Sequence, residues 1–371
     1  MTVPVEEWLQ VHAFLQEHRH DLARSAAALY PVSRHVEGTG FLAAPSWIPP
    51  VPLTLDSVAL CRTDSATRHI AGWDAALGRV LPKREDGPAY RRYSEAVADL
   101  ARPRLFENRS TYRLAEADLA GPAGALSFGR GSYFDNIDVG AACAHEYAAV
   151  TMGLLADSAL RDLVGDPWRP ASRPVNVAIC TLALRVDRDG GTATFPLHWR
   201  DPRLVGHAGG LYQVVPVGMF QASSDEPPSQ ANDFDLWRCM LREFSEELLG
   251  TSEEYGAFVD YQRWPFARQM NEAREHGSLK IWVLGMGVDP LTFATDVLTV
   301  AAFDAPVFDR LFGALVAENA EGTVIFGPDQ AFTSAAIDRL TSHQPMQAAG
   351  AALLRLAWRH RRTLLGDSTA G

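Results

Sequence analysis

From Asn232 to Gly250 the chain spaces Trp237, Met240, Leu241, Phe244 and Leu248 so that a helical period gathers them on one arc. The same period places Glu243, Glu246 and Glu247 within a neighbouring arc of roughly 100°. A segment patterned this way is stable as a helix only with its apolar arc buried, so it must lie on a core and hold three carboxylates at that core's margin. Asn232 as cap, with Asp235 three residues on, suits the helix start, and Gly250 suits a left-handed stop. Glu243 has like-charged neighbours at i+3 and i+4, each costing about 0.2–0.5 kcal/mol in an isolated helix. Arg242 can offset one of them by pairing with Glu246. Hard oxygen donors at this spacing suit Mg²⁺, with Mn²⁺ as a second choice. A solvated acidic face is the other reading these residues leave open.

The flanks decide what the helix packs on. VNVAICTLALRV (175–186) alternates and is rich in β-formers, DRDGG is a hairpin turn, and TATFPLHWR returns as a partner strand. LYQVVPVGMFQ predicts a further strand, and ASSDEPPSQAND a polar loop. After the acidic helix, SLKIWVLGMGV and DVLTVAAF predict strands, PVFDRLFGAL a helix, and PMQAAGAALLRLAWRHRR a terminal helix. The fold class expected is α+β, with a mixed sheet sandwiched by helices.

Upstream, residues 5–30 carry apolar positions at helical spacing, and PSWIPPVPL predicts an extended connector because successive prolines cannot continue a helix. LDSVAL predicts a strand, PAYRRYSEAVADLA a helix, and DVGAACAHEYAAVTMGLLADSALRDLV one long apolar helix. The turn-rich GDPWRPASRP (165–174) predicts a boundary. We therefore expect an N-terminal mixed α/β domain over 1–170, the domain of the acidic helix over 171–345, and a C-terminal helix and tail over 346–371.

The formal net charge of -11 argues against a sequence-independent grip on nucleic acid, and no apolar run approaches the ~20 residues of a membrane helix. The N-terminus lacks a basic start followed by an apolar core, so a cytoplasmic protein with no membrane partner is expected. Cys61, Cys143, Cys180 and Cys239 form no CxxC pair and are expected to be buried thiols. His145 and Glu146 lack the second histidine of a zincin helix.

The order strand, hairpin, strand, loop, then REFSEELLG resembles the Nudix family. Arg242, Glu243, Phe244, Glu246 and Glu247 match its Arg-Glu-apolar-any-Glu-Glu pattern residue by residue, and Gly218 takes the place of the strand-terminal glycine. Two departures stand out. Leu249 occupies the glycine position two places after the glutamate pair, and Glu226 is a poorly placed candidate for the glutamate midway along the usual loop. The stretches LFENRSTYRL and YFDNIDVGAACAHEYA are similar to those of actinobacterial Nudix-like regulators.

The resemblance implies a Nudix-type fold and an Mg²⁺-dependent pyrophosphohydrolase. Glu243, Glu246 and Glu247 would hold the metal, Arg242 would orient them, and a diphosphate linkage in a nucleoside diphosphate derivative would be cleaved. It also implies a small-molecule nucleotide partner and a homodimer. The alternative is a non-catalytic Nudix-like protein that binds a nucleotide ligand in a regulatory role. Around the site, Tyr212, Trp264 and Arg268 are candidates to stack a base and clasp a phosphate, and Arg109, with Asn108, Tyr112 and Arg113, to reach across as a lid. Packing for the aromatics and an interdomain salt-bridge patch for the arginines are the structural alternatives.

Overall fold

The computed structural model describes residues 3–64, 70–84, 89–104, 106–200, 209–252, 255–313, 315, 322–326 and 330–366. The chain opens with helices α1 (Val5–Glu17) and α2 (Arg19–Ala27), broken at His18. Strand β1 (Leu53–Thr54), strand β2 (Val58–Arg62) and helices α3 (Trp73–Leu77) and α4 (Tyr93–Leu100) follow. A hairpin comes next, β3 (Ser110–Asp118) and β4 (Gly124–Ser132). Helix α5 (Tyr133–Asn136) passes through a π turn (Ile137–Ala141) into α6 (Ala142–Thr151), and α7 (Ala159–Val164) closes this half.

The second half begins with β5 (Val177–Asp187), β6 (Thr192–Thr194), β7 (Leu197–Arg200), β8 (Tyr212–Val214) and β9 (Val217–Met219). Helices α8 (Pro227–Asn232), α9 (Leu236–Leu249) and α10 (Pro265–Glu275) lead to the long strands β10 (Leu279–Val288) and β11 (Thr295–Asp304). The chain finishes with α11 (Ala305–Phe312), β12 (Gly322–Ile325), α12 (Ser334–His343), α13 (Ala348–Arg359) and α14 (Arg361–Leu365).

The main sheet runs β1-β10-β11-β5-β6, and β9 also pairs with β5. Strands β11 and β5 are parallel, and the other pairs are antiparallel. The central strands are apolar on both sides because both faces are covered. Phe303 of β11 meets Phe244 of α9 and Phe308 and Phe312 of α11. On the opposite face the space above Gly287 is filled by the ring of Phe41. Helix α13 lies on that side, where Arg359 pairs with Glu37 at 2.7 Å. Two small sheets, β12-β7-β8 and β2-β4-β3, flank this centre. The architecture is α+β, with helices on both faces of a mixed sheet.

Three local expectations need correction. The proline-rich 45–52 segment is not a bare connector: Pro45–Trp47 is a 3-10 turn that buries Trp47, and Leu53 and Thr54 then pair with Val283 and Trp282 at the sheet edge. The apolar run 138–164 is not one helix, since Gly153 adopts a φ of 76° that stops it. The buried Glu146 carboxylate then accepts the N–H groups of Leu160 (2.9 Å) and Arg161 (3.2 Å) and so starts α7. Cys143, Cys180 and Cys239 are buried, but Cys61 is exposed. Buried side chains on both sides of 165–174 belong to one contiguous apolar cluster, running from Trp8 to Leu365. Of the expected C-terminal unit, 367–371 lies outside the described residues.

Asp296, near the start of the central strand β11, is 3 % exposed, and its Oδ2 meets no hydrogen-bond partner. Burial, with Asp289 close by, raises its pKa from the ordinary 3.8 to about 7. The folded chain therefore holds this proton where the unfolded chain has lost it, and stability falls as pH rises from the unfolded value through about 7. Asp296→Asn should flatten that fall. Thermal melts between pH 5 and 8 should show the variant gaining on the wild type as pH increases, and parallel curves would refute this ionisation.

Candidate functional site

The approach to the acidic helix is built by β8 and β9, joined through a cis Val215–Pro216 bond. Strand β9 pairs with β5 in the register Val217↔Cys180, Gly218↔Ile179. The following segment, 220–235, returns across this edge to begin α9. That helix starts at Leu236 with Asp235 as its cap, accepting from Trp237 N (2.7 Å) and Arg238 N (3.2 Å), rather than at Asn232. The shift has a physical cause, because the next residue, Asp233, is fully buried and committed elsewhere. It accepts from Ser223 N and Ser223 Oγ (both 2.7 Å) and from the Tyr261 hydroxyl (2.9 Å). Gly250 ends the helix at a φ of 69°, as its position implied.

Arg242 does not pair with Glu246. Its guanidinium turns inward, donating to the Tyr261 hydroxyl and to Gln221 O (2.6 Å), and lies 3.5 Å from Asp233. Burial alone would lower its pKa, but Cys239, Tyr261, Asp233 and Glu243 together hold it above the ordinary value. The arginine is a permanent cation locked beneath the helix.

Two of the three glutamates, Glu243 and Glu247, face β9 and β7. The Glu243 carboxylate rests on Gly218: a Cβ built there would fall 1.7 Å from Glu243 Cδ. A side chain at 218 would have to push this flexible carboxylate aside. Glu247 is 7 % exposed, accepts the Val217 N–H at 3.1 Å, and places Oε2 3.6 Å from Nδ1 of the buried His198. Glu246 is half-buried, and its backbone carbonyl accepts the Gly250 N–H at 3.1 Å. Among the described residues, no group of three or more His, Cys, Asp or Glu side chains is arranged to hold a metal ion. The donor chemistry suits Mg²⁺, but the positions of Glu243 and Glu247, turned onto the strand, do not fit a preassembled cage for it.

The surrounding candidates lie apart. Tyr212 is half-buried on β8, and its backbone bridges Pro345 O and Gln347 N, each at 2.9 Å. Trp264 caps α10 and packs on Tyr261 and Phe266. Arg268 lines an open cleft of ≈ 480 Å³ between α9 and α10, with Trp237, Arg238, Tyr261 and Asn271, and none of the three glutamates lines it. Arg109 pairs with Glu107 at 3.2 Å, and its guanidinium lies 4.3 Å from the Tyr255 ring centroid, so it does reach the loop after α9. Sequence reasoning missed Asp233, Tyr261 and His198. A polar loop gives no sign that one of its acids is buried, and His198 carries no local motif. On β7 both Leu197 and His198 are buried although adjacent strand residues point to opposite faces, so no alternation marks the histidine.

No family model and no curated protein matches the chain. Among solved structures, a MutT/nudix family protein from Enterococcus faecalis aligns over 52% of this chain and 68% of its own, at 12% identity and a TM-score of 0.28. A likeness that distant carries no argument about the site.

The glycine contact is directly testable. Gly218→Ala should lower stability by about 1 kcal/mol, the low end for overpacking, because the clashing group is the flexible end of Glu243. Truncating the acid as well, in Gly218→Ala/Glu243→Ala, should recover part of that loss in a double-mutant cycle read by denaturant unfolding. Purely additive losses would mean that the two groups do not meet.

Proposed function

We propose that this protein is Nudix-related and binds a nucleoside diphosphate derivative without cleaving it, its acidic motif serving to fasten α9 to strand β9. The observation that carries this reading is Glu247, buried and engaged by the Val217 N–H. A carboxylate spent on a strand amide is a poor ligand for a hydrated divalent ion, which needs outward-facing oxygens and room for waters. Glu243, seated on Gly218, is likewise turned toward the strand. Two departures in the sequence, Leu249 in place of glycine and the displaced Glu226, agree with this. The nucleotide class comes from the resemblance of residues 242–247.

A second reading is favoured by the intact Arg242, Glu243, Glu246, Glu247 set: a hydrolase whose Glu243, Glu246 and Glu247 would take up Mg²⁺ or Mn²⁺. The metal would neutralise the diphosphate oxygens and orient water. In that case Arg242, held by Asp233 and Tyr261, would fix the helix that carries the acids.

One experiment separates the two. The purified protein is incubated with a panel of sugar nucleotides, ADP-ribose, dinucleotides and NTPs, with and without Mg²⁺, and both binding and phosphate-containing products are measured. Binding without products is expected. Metal-dependent products abolished by Glu246→Gln would establish the hydrolase instead. Under the binding reading, Glu247→Gln should cost about 1–2 kcal/mol of stability from a weakened hydrogen bond and leave no activity to lose. Unchanged stability would show that the Val217 contact does not hold the helix.

A further inference from the structure

Residues 220–235 lie between two parts of the molecule and are gripped by both. On one side is the β3–β4 hairpin with neighbouring β2. Tyr112 N donates to Phe220 O at 3.2 Å, and Thr111 forms a bridge with Gln221. The Tyr112 hydroxyl donates to Gln230 O at 3.0 Å, as does the Arg62 guanidinium, which lies 4.5 Å from the Phe234 ring centroid. Phe128 and Tyr112 pack on Phe220, and Tyr112 also packs on Phe234.

On the other side is the acidic helix. Gln221 O takes the Arg242 guanidinium, Asn232 takes Arg238, and Asp233 lies under Arg242 and Tyr261. Backbone atoms of one residue, Gln221, thus meet the hairpin and α9 together. We propose that this segment is a strap that sets the position of the acidic helix from the N-terminal hairpin, so that a displacement of either is felt by the other. The strap is independent of whether the glutamates take a cation, and it gives the N-terminal region a positioning role toward α9.

Hydrogen exchange of the full-length chain tests it. Tyr112→Phe keeps the ring contacts and removes one bond, and Arg62→Met removes the other. Together they should speed amide exchange over 221–238 by about fivefold or more, the effect of a lost hydrogen bond, with β10 and β11 unchanged. The coupling is reciprocal, so Asp233→Asn should speed exchange at the β3 amides near Thr111 and Tyr112. If that variant does not fold, Tyr261→Phe, which removes one donor to Asp233, takes its place. Exchange that is unaltered over 221–238, uniform acceleration throughout the sheet, or a change that never crosses the strap would each overturn the inference.

Discussion

A fully buried carboxylate beside a nearly buried guanidinium governs this half of the molecule. Asp233 and Arg242 come from opposite ends of a tight return, the first before α9 and the second in its middle. Removing two ions from water costs several kcal/mol each, and their attraction offsets this only when the remaining donors and acceptors are filled. Here they are filled, by Ser223 and Tyr261 on the acid and by Gln221 and Tyr261 on the base. Losing either partner leaves an uncompensated charge in the core, so moving the helix off this pair is costly. The orientation of the acidic face, and thus what its glutamates meet, follows from this pair.

What was legible in the sequence follows the range of the forces involved. The long strands Val177–Asp187, Leu279–Val288 and Thr295–Asp304, the acidic helix and its Gly250 stop are set by periodicity and local chemistry, and they stand where the pattern puts them, except that the helix begins at Leu236, capped by Asp235 rather than Asn232. The α+β class followed from that order. Features decided by tertiary contact were not legible. Leu53 and Thr54 form an edge strand only because β10 offers them an edge, and TATFPLHWR splits between two sheets.

The site divides along the same line. Spacing gathered Glu243, Glu246 and Glu247 on one arc correctly, because that is helical geometry. It said nothing of what the arc faces. A carboxylate on a solvent-side cleft and one turned onto a strand have the same sequence, and only Gly218 hinted at close approach. The partner of Arg242 was misread for a related reason. A local i,i+4 pairing with Glu246 contributes a few tenths of a kcal/mol, whereas a buried, fully hydrogen-bonded pair resists removal of one partner by several, so the distant Asp233 wins.

Magnitudes also bear on whether the motif needs a cation to be stable. Two like-charged helical pairs cost together about 0.4–1 kcal/mol, and less where solvent screens them. A hydrogen bond to a charged group contributes about 1.5–3 kcal/mol, so the Val217 N–H on Glu247 alone offsets that repulsion. The repulsion along the helix is thus offset within the fold, and a cation that drew Glu247 away from Val217 would first have to break this contact. That cost is what separates a cage built to be filled from a comb of acids put to structural use, and it is the physical ground of the binding reading proposed for α9.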